Sequence, residues 1–284
     1  MRSELLAHGA FAASAFFSAV VTVLVFGFML ALGLPVIQEG QLLQILWGPW
    51  SPDHFSYGIR PMIVGTLCIA SFGLVTAVPL SLGCAAFIAA TAPKGPARIL
   101  HRLVRLMTGI PTVIYGFVGI FLLVPLIREI GGRGSGLSIL SAGLLLAVLV
   151  SPTMILFFVD GLAAVPKAYG LAVTALGGTR VQRLMYVLLP QAWRSILAGV
   201  ILGFGRAVGD TMIALMLAGN AVATPETILD AARTLTAHIA LIIAADFDSL
   251  EFRTLFICGL TLYLTTSLAA VVMRWVVQKQ KGEP

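Results

Sequence analysis

The chain has 284 residues, of which 59% are hydrophobic and only 11% are charged, and its mean hydropathy is +1.01. Because a soluble domain carries about a quarter charged residues, this composition excludes the soluble class and indicates a membrane protein. The formal net charge of +6 is spread without a dense basic run, so it does not predict nucleic-acid binding. Cys68, Cys84 and Cys258 form no CxxC pair, and the four His residues lack zinc-site spacing, so no metal or other cofactor is expected.

Six apolar segments are long enough to cross a bilayer as helices. They lie at about 12–34, 61–90, 107–127, 137–160, 196–218 and 254–275. The first is longer than the apolar core of a typical signal peptide and lacks a clear cleavage pattern, so we expect it to be retained. The sequence therefore predicts an all-α, polytopic membrane protein in which residues 1–284 form a single transmembrane domain.

Basic residues are unevenly distributed between the two sides of these segments. With the N-terminus inside, the inner side holds twelve, namely Arg2, Lys94, Arg98, Arg102, Arg105, Lys167, Arg180, Arg183, Arg194, Arg274, Lys279 and Lys281. The outer side holds five, namely Arg60, Arg128, Arg133, Arg233 and Arg253. Cytoplasmic loops carry an excess of Lys and Arg, so both termini are predicted to lie in the cytoplasm.

The two longer outer connections differ in character. Residues 35–60 contain Trp47 and Trp50, whose amphipathic rings suit the headgroup level of a membrane. Residues 219–253 form a long outer loop with a short helix expected around Ile228–Ile243. The apolar stretch of this loop is too short to span, and a re-entrant or interfacial segment is an alternative.

The longest inner connection, about 164–194, has the signals of a compact helix–turn–helix. In order, we expect a helix at Lys167–Leu176, a break at Gly177-Gly178, a cap at Thr179, a second helix at Arg180–Leu188 and a stop at Pro190. Glycine adopts the left-handed C-cap conformation at low cost, Thr is a favoured N-cap and Pro disrupts a helix interior. The element is predicted either to lie on lipid or to dock onto another protein.

The fifth apolar segment contains two charged residues near its middle, Arg206 and Asp210. Residues four apart share a face of a helix, so these two side chains are expected to be able to touch. They could form an internal pair that lowers the cost of burying both. Ionisable residues at membrane depth are nevertheless usually functional, and the planar fork of Arg suits an oxyanion. We therefore predict that Arg206 contacts an anion. Asp210 is predicted either to orient Arg206 or to accept a hydrogen bond from the protonated form of the anion.

Other polar residues at membrane depth are candidates for the same path. They are Thr112, Tyr115, Ser151, Thr153 and Thr211. Back-bonding of a hydroxyl to its own helix is the competing interpretation for each Ser or Thr. The glycine pairs Gly199/Gly203 and Gly205/Gly209 have the spacing that lets membrane helices approach closely, and we interpret them as packing positions.

The sequence contains no Gly-Lys-Ser/Thr phosphate-binding loop, so the chain is not expected to hydrolyse ATP itself. GxSxG and HExxH motifs are also missing, which argues against an intramembrane enzyme. If the protein pumps its substrate, the energy must come from a separate subunit.

The stretch ALGGTRVQRLMYVLLP resembles the cytoplasmic loop of bacterial ABC-importer permeases. More narrowly, the chain resembles the C-type permease subunits of phosphate-specific ABC importers. The matching motifs are Gly65-Thr66, the GIPTVIYG run Gly109–Gly116, Ser151-Pro152-Thr153, the GRAVGDTM run Gly205–Met212, and Gly219-Asn220. They cover most of the chain in the expected order.

This resemblance implies a type I ABC importer permease in the bacterial inner membrane that translocates inorganic phosphate. It implies three kinds of partner: a similar but distinct second permease, two copies of an ATPase, and a phosphate-binding protein outside. It assigns Arg206, Asp210 and Asn220 to the path, together with the polar residues above. Contacts to the ATPase are implied for Tyr169, Leu171, Ala172, Leu176, Gly177, Gly178, Leu189 and Pro190.

Two positions depart from the family pattern. Leu171 stands where the coupling loop usually has a glutamate, and Asp210 replaces a glutamate of the fifth segment. A permease for another oxyanion, such as molybdate, tungstate or sulfate, stays open as an alternative because such permeases have a similar inner loop and a similar Arg-x-x-Gly-acid pattern. The departure at Leu171 keeps open a passive anion channel that needs no ATPase, and a sensory or scaffold protein that has lost transport is a third alternative.

Overall fold

The computed structural model describes residues 2–132, 134–246 and 249–278, so Arg133, Lys279 and Lys281 lie outside the described residues. Within this part, six helical segments are long and apolar enough to cross a membrane, which confirms the predicted all-α fold and the number of spans. They are His8–Gln38, Arg60–Thr91, Thr112–Gly131, Ile139–Ala163, Arg180–Gly209 and Leu250–Val272.

In the described ranges there are thirteen α-helices, one short hairpin with a 3-10 helix (Pro52–His54) between its strands, and three π-helical turns. The first helices and the hairpin are α1 (Arg2–Gln38), α2 (Leu42–Trp47), β1 (Trp50–Ser51), β2 (Ser56–Tyr57), α3 (Arg60–Ala86), α4 (Lys94–Thr108), α5 (Thr112–Val118) and α6 (Val124–Gly131). They are followed by α7 (Ile139–Ala163), α8 (Lys167–Ala175), α9 (Arg180–Arg183), α10 (Leu189–Gly209), α11 (Met212–Leu217), α12 (Leu235–Ile242) and α13 (Leu250–Gln278). The π-helical turns are Phe87–Thr91, Gly119–Leu123 and Leu184–Leu188.

The central span is α7, which packs between α3 and α10. A helix that is apolar on all sides is a buried helix, and α7 has a single charged residue, Asp160, near its end. Side chains four residues apart on α7, Leu146, Val150, Met154 and Phe158, are fully buried. A second apolar cluster joins α1 and α13 to the region around α2 and α12.

Six consecutive spans that each cross a membrane once must alternate in direction, and on this basis we define two faces of the molecule. The terminal face carries the start of α1, the end of α13, and α4, α8 and α9. The loop face carries α2, the β1–β2 hairpin and α12.

The fifth span differs from the predicted segment 196–218 at both ends. Its helix runs without interruption from Arg180 to Gly209, and Pro190 lies in the first turn of α10 instead of ending a helix, which corrects the predicted stop. The π-helical turn directly before Pro190 shifts the hydrogen-bond register, and such a turn accommodates the missing proline N–H. At its other end the helix stops before Asp210, and α11 begins two residues later.

The third span is also shifted relative to the prediction of 107–127. It begins at Thr112, because Pro111 disfavours a helical conformation for the residue before it. Residues 94–108, expected only as a basic inner connection, form the separate helix α4. The chain thus has an additional amphipathic element on the terminal face.

The loop face is more ordered than the sequence predicts. Trp50 is buried and packs edge-on against His238 at 4.3 Å between ring centroids, so the predicted headgroup position is wrong for Trp50, whereas Trp47 is exposed. The helix in the second outer loop is shorter than expected and covers only Leu235–Ile242. It is held to the third helix where the Thr66 hydroxyl accepts a hydrogen bond from the Leu235 N–H at 2.9 Å.

Candidate functional site

Arg206 lies half-buried on the last turn of α10 and reaches across to α7. Its Nη1 donates a hydrogen bond to the Thr153 Oγ1 over 3.1 Å. In the part of the chain that the structure describes, no hydrogen bond or ion pair joins Arg206 to Asp210. The guanidinium therefore keeps donors that are free for a ligand.

Asp210 ends α10 with extended backbone, at φ −74° and ψ 122°. Its Oδ1 accepts a hydrogen bond from the Ile213 N–H at 2.8 Å, which caps the start of α11. Its carbonyl oxygen accepts from the Thr236 hydroxyl of α12 at 3.1 Å. The predicted contact of Arg206 and Asp210 on one helix face is not formed, because the helix ends between them; the charge of Arg206 still acts electrostatically on this carboxylate.

A cavity of about 500 Å³ opens beside Arg206 between α7, α10 and α13. Its lining consists of Thr153, Ile201, Leu202, Gly205, Arg206, Thr266, Ala269 and Ala270. Sequence reasoning missed the α13 contribution. The signal was the run Thr265–Ala270, where small and polar residues interrupt an otherwise apolar span.

The remaining predicted path residues are not among the residues that line this cavity. The Tyr115 hydroxyl donates to the Met107 carbonyl at 3.1 Å, and Arg206 acts on it electrostatically. Ser151 back-bonds to the Ala147 carbonyl at 2.6 Å, which favours the packing interpretation for this residue. Thr112 begins α5, and Thr211 is the N-cap residue of α11; both are half-buried.

A polar cluster at the loop face includes Asn220 and two residues that the sequence did not single out. Asn220 has a φ of +54°, and its Nδ2 donates to the Leu215 carbonyl at 2.7 Å. Arg233 donates from Nε to the Asn220 carbonyl at 3.1 Å, and its Nη1 lies 3.4 Å from Nδ1 of His238. Burial lowers the pKa of Arg233 and, reinforced by the Arg233 charge, lowers the pKa of His238 to about 3. His238 is therefore neutral near pH 7.

The glycine pairs of α10 behave differently from each other. A Cβ on Gly199 would lie 2.8 Å from Phe158, and one on Gly203 would lie 2.8 Å from Met154, so this pair lets α10 pack closely on α7. A Cβ on Gly205 or Gly209 would meet nothing within 4 Å. The packing prediction is confirmed for the first pair, while the second pair leaves a smooth, uncovered helix face beside Arg206.

The first helix and the turn of the predicted helix–turn–helix are present on the terminal face, and the second helix continues into the fifth span instead of ending at Pro190. Helix α8 ends where Gly177 adopts a φ of +76°, and Thr179 forms a reciprocal capping box with Gln182. Several of its apolar side chains point away from the protein: Tyr169 is 47% exposed, Leu171 69% and Leu176 89%. Ala172 and Pro190 are exposed, and Gly178 and Leu189 are half-buried.

The fold matches those of solved ABC importers. Over 77% of this chain and 95% of the other, it aligns with a chain of the inward-facing MetNI methionine ABC transporter at a TM-score of 0.60 and 17% identity. Over 93% of this chain and 96% of the other, it aligns with a bacterial ABC transporter involved in the import of the acidic polysaccharide alginate, at a TM-score of 0.57 and 16% identity. The predicted type I ABC importer permease fold is thereby confirmed.

The sequence gives the family. Residues 77–282 match the family described as the inner membrane component of binding-protein-dependent transport systems, and the chain belongs to this family. Similar proteins include the probable ABC transporter permease protein YqgH of Bacillus subtilis, 33% identical over 84% of this chain and 78% of that protein. The phosphate transport system permease protein PstC of Pasteurella multocida is 30% identical over 82% of this chain and 79% of that protein.

Membership of this family has direct consequences for the chain. It is a multi-pass inner-membrane permease subunit of an ABC importer and not itself an enzyme. An ATPase and a substrate-binding protein are its partners in such a system.

Proposed function

We propose that this permease translocates inorganic phosphate, with Arg206 as the residue that contacts it. The observation that carries the proposal is a half-buried guanidinium at membrane depth that faces a cavity and, among the described residues, has Thr153 as its one side-chain hydrogen-bond partner. A helix that needs only to pack does not require a charge there, since burying one costs roughly 2 kcal/mol or more. Relatives that carry the name phosphate permease support the choice of anion.

The two charged groups have complementary tasks in this proposal. The planar fork of Arg206 donates parallel hydrogen bonds to two phosphate oxygens. Asp210 uses Oδ1 for the α11 cap, and Oδ2 makes no hydrogen bond within the described residues. That second oxygen accepts from the P–OH group of protonated phosphate, whereas sulfate has no proton to donate near neutral pH.

The uncovered face of α10 is where a second, similar permease packs, so that the path runs along the interface between the two chains. Gly205 and Gly209 favour this arrangement because they let another helix approach closely. The exposed apolar side chains of α8 fit the groove of an ATPase subunit, and two ATPase copies serve the two permeases. The phosphate-binding protein delivers its ligand at the loop face.

The terminal face is cytoplasmic in this proposal, as the excess of basic residues on it favours. Single cysteines introduced in a cysteine-free variant test this orientation. Leu176→Cys should react with an impermeant thiol reagent only from the inside of sealed vesicles, and Phe55→Cys only from the outside. The reverse pattern of labelling would overturn the orientation.

Substrate identity is tested by uptake of labelled phosphate into cells that express the chain with its partners. We expect competition by excess arsenate, which shares the shape and protonation of phosphate, and none by sulfate or molybdate. Competition by sulfate or molybdate would replace phosphate with another oxyanion. Uptake that persists when the ATPase is disabled would indicate a passive channel instead.

The role of Asp210 is tested by the selectivity of the Asp210→Asn variant. The amide retains an oxygen for the α11 cap but loses the negative charge that disfavours sulfate. Inhibition of phosphate uptake by sulfate should therefore increase in this variant. Selectivity equal to that of the unmodified protein would remove Asp210 from the discrimination step.

A further inference from the structure

A second concentration of positive charge lies on helix α4 at the terminal face. Helix α4 carries Lys94, Arg98, Arg102 and Arg105, which recur at helical spacing and so share one side of the helix. All four are exposed or nearly so. No step of phosphate translocation described above uses them.

These side chains line a groove and do not merely point into solvent. Together with His101 they border a cavity of about 510 Å³ that is closed on its other side by the π-helical turn at the end of α3 and by Val159 and Ala163 of α7. Among the described residues, its lining includes five basic or imidazole side chains and no carboxylate. The groove therefore has a strongly positive wall and an apolar floor.

One polar atom in this groove lacks a partner. The Nε2 of His101 is buried and makes no hydrogen bond within the described part of the chain. Because it is buried, this nitrogen is not itself open to a ligand in the groove. The four cations beside the apolar floor point to a ligand that is anionic and offers oxygen atoms.

The next side of α4 bears an exposed apolar stripe. Ile99, Leu103 and Leu106 are 61%, 52% and 70% exposed and follow helical spacing. A helix with one basic side and one apolar side lies in the membrane interface, and basic pockets at the ends of spanning helices bind phosphate-bearing headgroups.

We propose that the groove formed by α4, the end of α3 and α7 binds a phosphate group at the membrane surface. The arginines hold the phosphate oxygens. Two sources can present this group: the headgroup of an anionic phospholipid, whose acyl chains would cover the apolar stripe, and free inorganic phosphate.

The first arm of the test measures lipid retention. The full-length chain is purified in neutral detergent, mixed with phosphatidylglycerol or phosphatidylcholine, and examined by native mass spectrometry. Preferential retention of phosphatidylglycerol is expected. It should weaken about 100-fold in the triple variant Arg98→Gln/Arg102→Gln/Arg105→Gln, since each basic residue near an anionic surface contributes about fivefold.

Two further variants test whether lipid retention depends on positive charge in the groove and not on the net charge of the protein or on its folding. The triple variant Arg60→Gln/Arg128→Gln/Arg253→Gln removes the same charge from the loop face and should retain the lipid. The variant Arg98→Lys/Arg102→Lys/Arg105→Lys keeps the charge and should retain most of the affinity. Thermal melting confirms that each variant is folded.

The second arm measures equilibrium binding of labelled inorganic phosphate in an Arg206→Gln background, so that only the groove is reported. Phosphate binding that depends on the α4 arginines would support the site and assign free phosphate as its occupant. Arginine-dependent lipid retention without phosphate binding would support it and assign the lipid. If neither ligand distinguishes the α4 variant from the loop-face control, the proposal is wrong.

Discussion

At the scale of single residues, the hydrogen bond from Arg206 to Thr153 holds the guanidinium toward the cavity. Thr153→Val keeps the volume of the side chain but removes the acceptor. A hydrogen bond to a charged group contributes about 1.5–3 kcal/mol, so phosphate uptake at low substrate concentration should fall about tenfold or more. Thr153→Ser should restore most of the activity.

The matched control for this substitution is Ser151→Ala, which removes a hydroxyl that only back-bonds to its own helix. Uptake by this variant should stay close to that of the unmodified protein. If Thr153→Val and Ser151→Ala have the same small effect, the Arg206–Thr153 bond does not position the anion.

His238 gives a second prediction at this scale. Burial and the Arg233 charge lower its pKa to about 3 in the folded protein, against an ordinary value of 6.5. Between these two values the unfolded chain binds a proton that the folded chain does not. The free energy of unfolding should therefore decrease as pH falls below 6.5, by up to about 1.4 kcal/mol per pH unit.

Thermal melting in detergent from pH 7.5 to pH 4.5 measures this effect. His238→Gln keeps an acceptor for Arg233 but does not titrate, so its melting temperature should fall less over this range. An identical pH dependence in both proteins would show that His238 is not the group responsible.

At the scale of elements, α10 presents two glycine pairs with opposite expected responses. Gly199→Ala places a methyl group against the buried Phe158, and overpacking of this kind costs about 1–3 kcal/mol. Gly205→Ala meets open space, and the helix gains about 0.5–1 kcal/mol from the lower freedom of the unfolded chain. The first variant of the isolated chain should melt lower and the second should not.

The expected effect on assembly with the second permease has the opposite order to the effect on melting temperature. Gly205→Ala should weaken association with the second permease, measured by co-purification, because the added methyl group stands on the proposed interface. Gly205→Ala chains that assemble and transport normally would place the interface elsewhere on the molecule.

The inner connection, about 164–194, supports a prediction about the ATPase. Leu176 is 89% exposed and contributes little to the fold, so Leu176→Asp should leave the melting temperature unchanged. A buried apolar anchor at an interface is worth about 2 kcal/mol or more, so ATPase binding should weaken about 30-fold. Thr174→Ala, which loses only a back-bonded hydroxyl, is the control. Unchanged ATPase affinity in the Leu176 variant would exclude this surface as the docking site.

At the scale of the whole molecule, the spans were predictable because each is an apolar run. The turn of the inner connection was predictable because Gly177 and Thr179 end and begin helices through local conformation and capping. The ends of the fifth span were not. The helix stops at Asp210 where that residue caps α11 and bonds to Thr236, a contact between positions 26 residues apart. Trp50 was misplaced for the same reason, because its burial depends on His238 in a distant loop.

The candidate site also combines residues that were predictable from the local sequence with contacts that depend on tertiary packing. Arg206 was identifiable as a charge within an apolar run, and Thr153 as a polar residue at membrane depth. Their hydrogen bond and the α13 side of the cavity depend on how three spans pack, which no local pattern records. The basic helix α4 was visible as charge, but its groove requires the end of α3 and α7 beside it.

The central claim is that Arg206 contacts phosphate during ATP-driven import, and one measurement tests it most directly. Uptake of labelled phosphate is compared in proteoliposomes that contain the chain with its partner subunits, carrying Arg206→Gln, Arg206→Lys or the loop-face control Arg253→Gln. We expect Arg206→Gln to abolish uptake, Arg206→Lys to retain part of it, and Arg253→Gln to transport normally. Phosphate uptake by folded, assembled Arg206→Gln at the rate of the unmodified protein would contradict the claim.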